Sequence, residues 1–171
     1  MSNICETRRV VVRPLTLDDA PFIWELLNDP DFIANIGDLG VRTVDDACGY
    51  LTRGPMAMYA RLGFGLWCVE LCATQTPIGI CGLLQRDWLD DMDLGFAFLP
   101  AFRGTGYAFE AASAVLAYAL DTLAASRVTA IVSPHNTKSV ALLGRLGMEP
   151  CGMVRAPDAT QDVQLFAIAA G

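Results

Sequence analysis

Apolar residues fall in short runs along this chain, and the spacing within the runs alternates between that of a strand and that of a helix. Arg8 to Leu15 is rich in β-branched residues and reads as a strand. Thr16 or Asp18 can cap a helix over Asp19 to Leu27, where Phe22, Ile23, Leu26 and Leu27 recur at helical spacing. Asn28 to Gly40 is punctuated by Pro30, Gly37 and Gly40 and reads as an irregular loop. Thr43 followed by Asp45 and Asp46 marks another helix start, with a pattern that runs to Tyr59 and a break at Gly54-Pro55.

Phe64 to Leu71 and Pro77 to Leu84 are apolar runs joined by the polar turn Ala73 to Thr76, the signature of a hairpin. Met92 to Leu99 is a further strand ended by Pro100. The clearest helix is Gly106 to Leu123, with Phe109, Ala112, Leu116, Ala119 and Leu123 predicted along one face. A short strand, Val128 to Val132, precedes a helix from about Thr137 to Leu146 that Gly147 terminates. Two strands near Met148 to Arg155 and Val163 to Ala169 close the chain. Hairpins followed by βαβ crossovers imply an α/β (α+β) fold with a mixed sheet and helices on both faces.

With 171 residues and no linker or repeat, residues 1–171 read as one domain. The apolar fraction of 53% raises the question of a membrane span, but the longest nearly uncharged run, Ala111 to Ala125, is too short and is interrupted by Asp121. Met1 to Val12 carries Glu6, Arg8 and Arg9 and lacks the apolar stretch of a secretion signal. A soluble cytoplasmic protein is expected, with no membrane partner, and a homodimer would be one way to cover apolar surface. A net charge of −7 with a single lysine, Lys138, argues against nucleic acid as a partner and favours a cationic substrate. The six cysteines form no CxxC pair and read as reduced structural thiols. With one histidine, His135, no metal site is expected.

The candidate chemistry lies between Leu99 and Glu110, where a strand enters a glycine-containing turn that opens directly into the long helix. Amides at such a turn and at the helix start lack internal partners and can cradle phosphate oxygens. Gly104 and Gly106 let the main chain approach an anion, and Arg103 can neutralise phosphate or pin the turn. An ordinary packing turn fits this segment equally well when taken alone. It is neither a P-loop, whose lysine is missing, nor a dinucleotide-binding GxGxxG in spacing or position.

Two further features decide between the readings. Arg103, Gly106 and Ala108 sit where the GNAT acetyltransferase superfamily carries Arg or Gln, then Gly, then Gly or Ala. Asn136, Ser139, Leu142, Leu146 and Gly147 fit an Asn-x-x-Ser, leucine-rich helix and Gly-Phe pattern, with Met148 in place of Phe. Together with Val10 to Leu15 and Ile36 to Thr43, these segments resemble the branch of that superfamily related to ribosomal-protein N-acetyltransferases, over nearly the whole chain.

The resemblance implies a mostly antiparallel sheet of about seven strands flanked by about four helices, splayed between the fourth strand and the fifth. It implies acetyl-CoA as co-substrate, with the pantetheine arm on the main chain of Phe96, Ala97 and Phe98. The pyrophosphate would lie on the amides of Gly104, Thr105, Gly106, Tyr107 and Ala108, and the Asn136 side chain would touch the arm or the adenosine. The oxyanion donor would be an amide of the splayed strand, Ala97 or Phe98. Asp93 stands where many members carry a glutamate and is the candidate base; the alternative is that Asp87, Asp90, Asp91 and Asp93 form a solvated acidic loop or only attract a cationic substrate. Leu143 occupies the place of the family's acid tyrosine, which leaves Ser139 as candidate acid or as a helix cap. His135 would line the cleft mouth, and Trp88 could line an acceptor pocket. The implied activity is transfer of acetyl to a primary amine on a peptide N-terminus or a small molecule. A non-catalytic coenzyme-A sensor of the same fold is the alternative.

Overall fold

The computed structural model describes residues 2–171; Met1, the first residue of the opening stretch, lies outside them. Its strands are β1 (Cys5–Glu6), β2 (Val10–Arg13), β3 (Leu66–Leu71), β4 (Pro77–Leu84), β5 (Met92–Phe98), β6 (Arg127–Val132), β7 (Glu149–Val154) and β8 (Val163–Ala169). Its helices are α1 (Ala20–Leu27), α2 (Pro30–Asn35), α3 (Val44–Arg53), α4 (Pro55–Leu62), α5 (Tyr107–Ala117) and α6 (Thr137–Arg145). The sheet runs β1-β2-β3-β4-β5-β6-β8-β7 and is antiparallel at every junction except the parallel β5–β6 pair. The expected mixed, mostly antiparallel sheet is present, with eight strands rather than seven because Cys5–Glu6 adds an edge strand opposite Val11 and Val12.

Local chemistry explains most of the boundaries. Thr43 and Asp46 form a reciprocal capping box at the start of α3, so two helix-end donors are satisfied within four residues. Pro55 begins α4 at its first turn, and Gly63, at φ +79°, ends it. The segment expected to be an irregular loop contains α2 instead. Asp29 accepts from the Phe32 amide and Pro30 presets φ at the first helical position, so the proline starts a helix here rather than breaking one. With α2 counted and the third helix divided at Gly54, there are six α-helices rather than about four.

The core has two parts, one on each face of the sheet. On one side α5 and the π-helical turn that follows it (Tyr118–Thr122) lay Ala111, Ala112, Val115, Leu116 and Ala119 against β-strand side chains such as Val10, Trp67, Leu83 and Leu94. Phe109 and Leu123, expected on this buried face, are only half-buried; Phe109 lies beneath the Arg145 guanidinium. On the other side α1 to α3 cover Cys68 and Ile80. Cys68 and Cys81 are fully buried and no cysteine is paired, and burial pushes the Cys68 thiol up to about 12. No helix among the described residues is long and apolar enough to cross a membrane.

The sheet is two half-sheets joined at a short seam. β5 stays with β4 from Asp93 to Phe98, and β6 stays with β8 over its whole length. Between β5 and β6 only Met92↔Val128 and Asp93↔Thr129 pair, and past that point the strands diverge. This is the splay that the family resemblance implies.

Candidate active site

The splay leaves one edge of β5 free for an extended ligand. The Leu99 amide donates to the Ile78 carbonyl at 2.9 Å, and Phe98 stands opposite Gly79. In an antiparallel ladder that register turns the main-chain groups of Ala97 toward Ile80 and those of Phe96 and Phe98 away from β4, into the gap. Ala97 therefore lies in the splayed strand as expected, but its amide faces β4, which leaves Phe96 and Phe98 as the outward donors. Gly79 makes this possible: a Cβ there would lie 2.4 Å from the Phe98 ring.

A cavity of about 510 Å³ runs through the gap and is lined by Asp93, Phe96, Ala97, Asn136 and Ser139 together. Leu143, buried at the acid-tyrosine place, also lines it. The lining also includes Phe32, Asn35 and Ile36 in and just after α2, Tyr50 of α3, and Leu84, Arg86 and Trp88 at and beyond the end of β4. His135 is exposed and does not line the cavity. A second pocket of about 360 Å³, between Leu39–Val41 and Asp46–Gly54, holds none of the candidate residues.

Asp93 sits at the seam, with 0% of its surface exposed. Its Oδ2 accepts from Arg86 Nε at 2.7 Å, and its Oδ1 has no hydrogen-bond partner. Burial pushes the carboxyl above its ordinary value; the Arg86 guanidinium pulls it back, aided by Thr129 and the Ile131 amide from longer range. The neighbouring acids behave differently. Asp87 and Asp90 are exposed, and Asp91 pairs with Arg127 at 2.8 Å, so only Asp93 faces the cavity.

At the start of α6 the Asn136 side chain accepts from the Ser139 amide at 3.3 Å. Asn136 is therefore the helix cap, which leaves the Ser139 hydroxyl free of that task on the cavity wall.

The turn from Arg103 to Ala108 lies beyond the cavity. Gly104 and Gly106 adopt φ of +78° and +86°, the left-handed region that glycine enters without a Cβ penalty. The first amides of α5, which begins directly after Gly106, lack partners inside the helix. Arg103 is a pin. Its guanidinium donates to the Phe98 carbonyl at 2.9 Å and to Asp29 and Asp31 at 2.6 Å each. Thr105 offers its carbonyl to Arg9 at 3.0 Å, and Arg9 stacks over the Tyr107 ring at 4.3 Å.

Arg9 was not a candidate in the sequence, yet it is the cation at this turn: a Cβ on Gly106 would stand 3.2 Å from its Nη2. Its link to Glu110, 101 residues away, has no local signal. Arg86 was also missed. It is the one cation among four acids between Gln85 and Asp93, and that contrast could have singled it out.

A model of the acetyltransferase (GNAT) domain matches residues 9–149. The chain is 26% identical to the uncharacterized N-acetyltransferase YoaA of Bacillus subtilis, over 91% of this chain and 88% of that protein. A crystal structure of an acetyltransferase from Agrobacterium tumefaciens superposes with a TM-score of 0.82 at 25% identity, covering 98% of this chain and 94% of the other. RimL, a ribosomal L7/L12 α-N-protein acetyltransferase solved with coenzyme A, superposes with a TM-score of 0.84, covering 98% of each chain; at 13% identity it shows the shared fold alone.

Proposed function

The chain belongs to the GNAT acetyltransferase family, and from that premise we propose that it transfers acetyl from acetyl-CoA to a primary amine by direct attack in a ternary complex. The observation that carries this reading is the seam at Asp93↔Thr129, beyond which β5 and β6 part around a cavity reaching Asp93, Asn136 and Ser139. An arm rich in amides fits such a gap because the outward amides and carbonyls of Phe96 and Phe98 offer it strand-like partners. The Phe98 carbonyl is already held by Arg103, so the Phe98 amide and both Phe96 groups remain for the arm and the thioester oxygen. The amides from Gly104 to Ala108, with Arg9 beside them, suit the pyrophosphate.

In the reaction the amine nitrogen attacks the thioester carbon, and the tetrahedral oxyanion is held by an outward β5 amide. Asp93 accepts the amine proton as general base, for which a carboxyl raised by burial is better matched to neutral pH than an ordinary one. The carbon–sulfur bond then breaks, and Ser139, a residue lining the cavity, protonates the leaving thiolate. The acceptor is a primary amine of a small molecule or a peptide N-terminus.

Incubation with acetyl-CoA and a panel of amines, with free thiol followed, tests this directly. Amine-dependent thiol release is expected. Tight binding of acetyl-CoA with no release on any amine would instead support a coenzyme-A sensor.

A further inference from the structure

Among the described residues, Asp93 and Arg86 are the only charged side chains that line the cavity, and they touch each other. Only Nε of Arg86 is engaged; its two Nη groups donate to nothing among the described residues, and the side chain keeps 35% of its exposure. Asp93 Oδ1 is buried with no partner. The loop that presents Arg86 is built rather than slack: the Leu89 amide donates to the Arg86 carbonyl at 3.2 Å, and the Gln85 side chain donates to the Leu89 carbonyl at 3.4 Å. An unfilled guanidinium fork thus stands beside an unfilled carboxylate oxygen, in an apolar chamber.

That pair is the charge complement of a molecule whose amine and carboxylate are separated by one carbon. Building on the acetyl-transfer reading, we infer that the acceptor is a free α-amino acid with an apolar side chain. Its carboxylate is bound by the Nη groups of Arg86 and its amine is directed at Asp93. A planar guanidinium fork suits a carboxylate because two parallel N–H groups meet two oxygens. A polyamine would bring several positive charges to a wall with one carboxylate and one cation, and like charges there are unfavourable. A peptide N-terminus offers a neutral carbonyl where the fork has a charge to satisfy. Phe32, Ile36, Leu84 and Trp88 supply an apolar surface for the side chain. Atoms balance without another reactant. The bound ammonium first releases one proton to solvent through Asp93. The neutral amine and acetyl thioester then become N-acetyl amino acid and thiol, the C–N bond replacing C–S, with a second proton passing from nitrogen to sulfur by way of Asp93, solvent and Ser139.

The test compares acetyl-CoA-dependent thiol release with L-leucine, L-methionine and L-phenylalanine against their carboxamides, leucyl-glycine and spermidine, each rate expressed per free amine. For the preferred side chain, kcat/KM of the acid should exceed that of the carboxamide by roughly tenfold to a hundredfold, the value of a charge-assisted hydrogen bond. Arg86→Gln should bring that ratio close to one, and Arg86→Lys should restore part of it. The inference is overturned if a carboxamide, the dipeptide or spermidine matches the best amino acid in the unaltered protein, or if Arg86→Gln leaves the ratio intact. Transfer to those other amines would leave the acetyl-transfer reading standing. Binding of acetyl-CoA with no thiol release on any amine would remove both.

Discussion

Asp93 combines complete burial, a lone ion pair and an oxygen without a partner, and each property has a measurable consequence. As general base it must be ionised, so kcat should rise with pH through its folded pKa, which lies above the ordinary 3.8. Arg86 favours the ionised form; Arg86→Gln removes that help, so the same limb of the pH–kcat profile should move to higher pH. A limb that stays in place would show that Arg86 does not act on the titrating group. Asp93→Asn should lower kcat by about a hundredfold or more, the usual worth of a positioned base, while acetyl-CoA binding followed by calorimetry stays near that of the unaltered protein. Full activity in Asp93→Asn would leave Asp93 with only a structural role.

Among the elements, the β5-to-α5 connection joins packing to ligand contact. Arg103 ties it to α2 through Asp29, a buried carboxylate that also caps that helix. Arg103→Ala should destabilise the fold by about 1–3 kcal/mol, the cost of leaving a buried hydrogen-bonding group unpaired, read as a lower midpoint in urea. Arg9 lies against Gly106 and Thr105, so under the proposed pyrophosphate site Arg9→Ala should weaken acetyl-CoA binding more than its effect on stability explains. Equal losses in binding and stability would make Arg9 a packing residue. The strand periods, the Gly54-Pro55 break and the glycine turn were legible in the sequence because they follow from spacing and backbone freedom. The helix α2 was not, since Pro30 and Gly37 signal a loop unless Asp29 is known to cap. Neither Arg103's carboxylate partners nor Arg9's were legible, because those pairs span 72 to 101 residues of sequence.

Across the whole molecule, function follows from a sheet that is continuous at one end of the β5–β6 seam and open at the other. The resemblance implied the splay, but the meeting of α2, Trp88 and Arg86 on one cavity brings together separate segments, and no single one encodes it. Net charge is a property of the whole surface: −7 over the chain favours a cationic substrate at long range, while the charged side chains lining the cavity are one acid, Asp93, and one base, Arg86. The most direct measurement is a crystal structure with acetyl-CoA bound. The pantetheine arm should lie between β5 and β6, hydrogen-bonded to the main chain of Phe96 and Phe98, with the pyrophosphate on the amides of Gly104 to Ala108 and the thioester facing Asp93. Acetyl-CoA seated anywhere other than the gap beyond Asp93 and Thr129 would contradict the account.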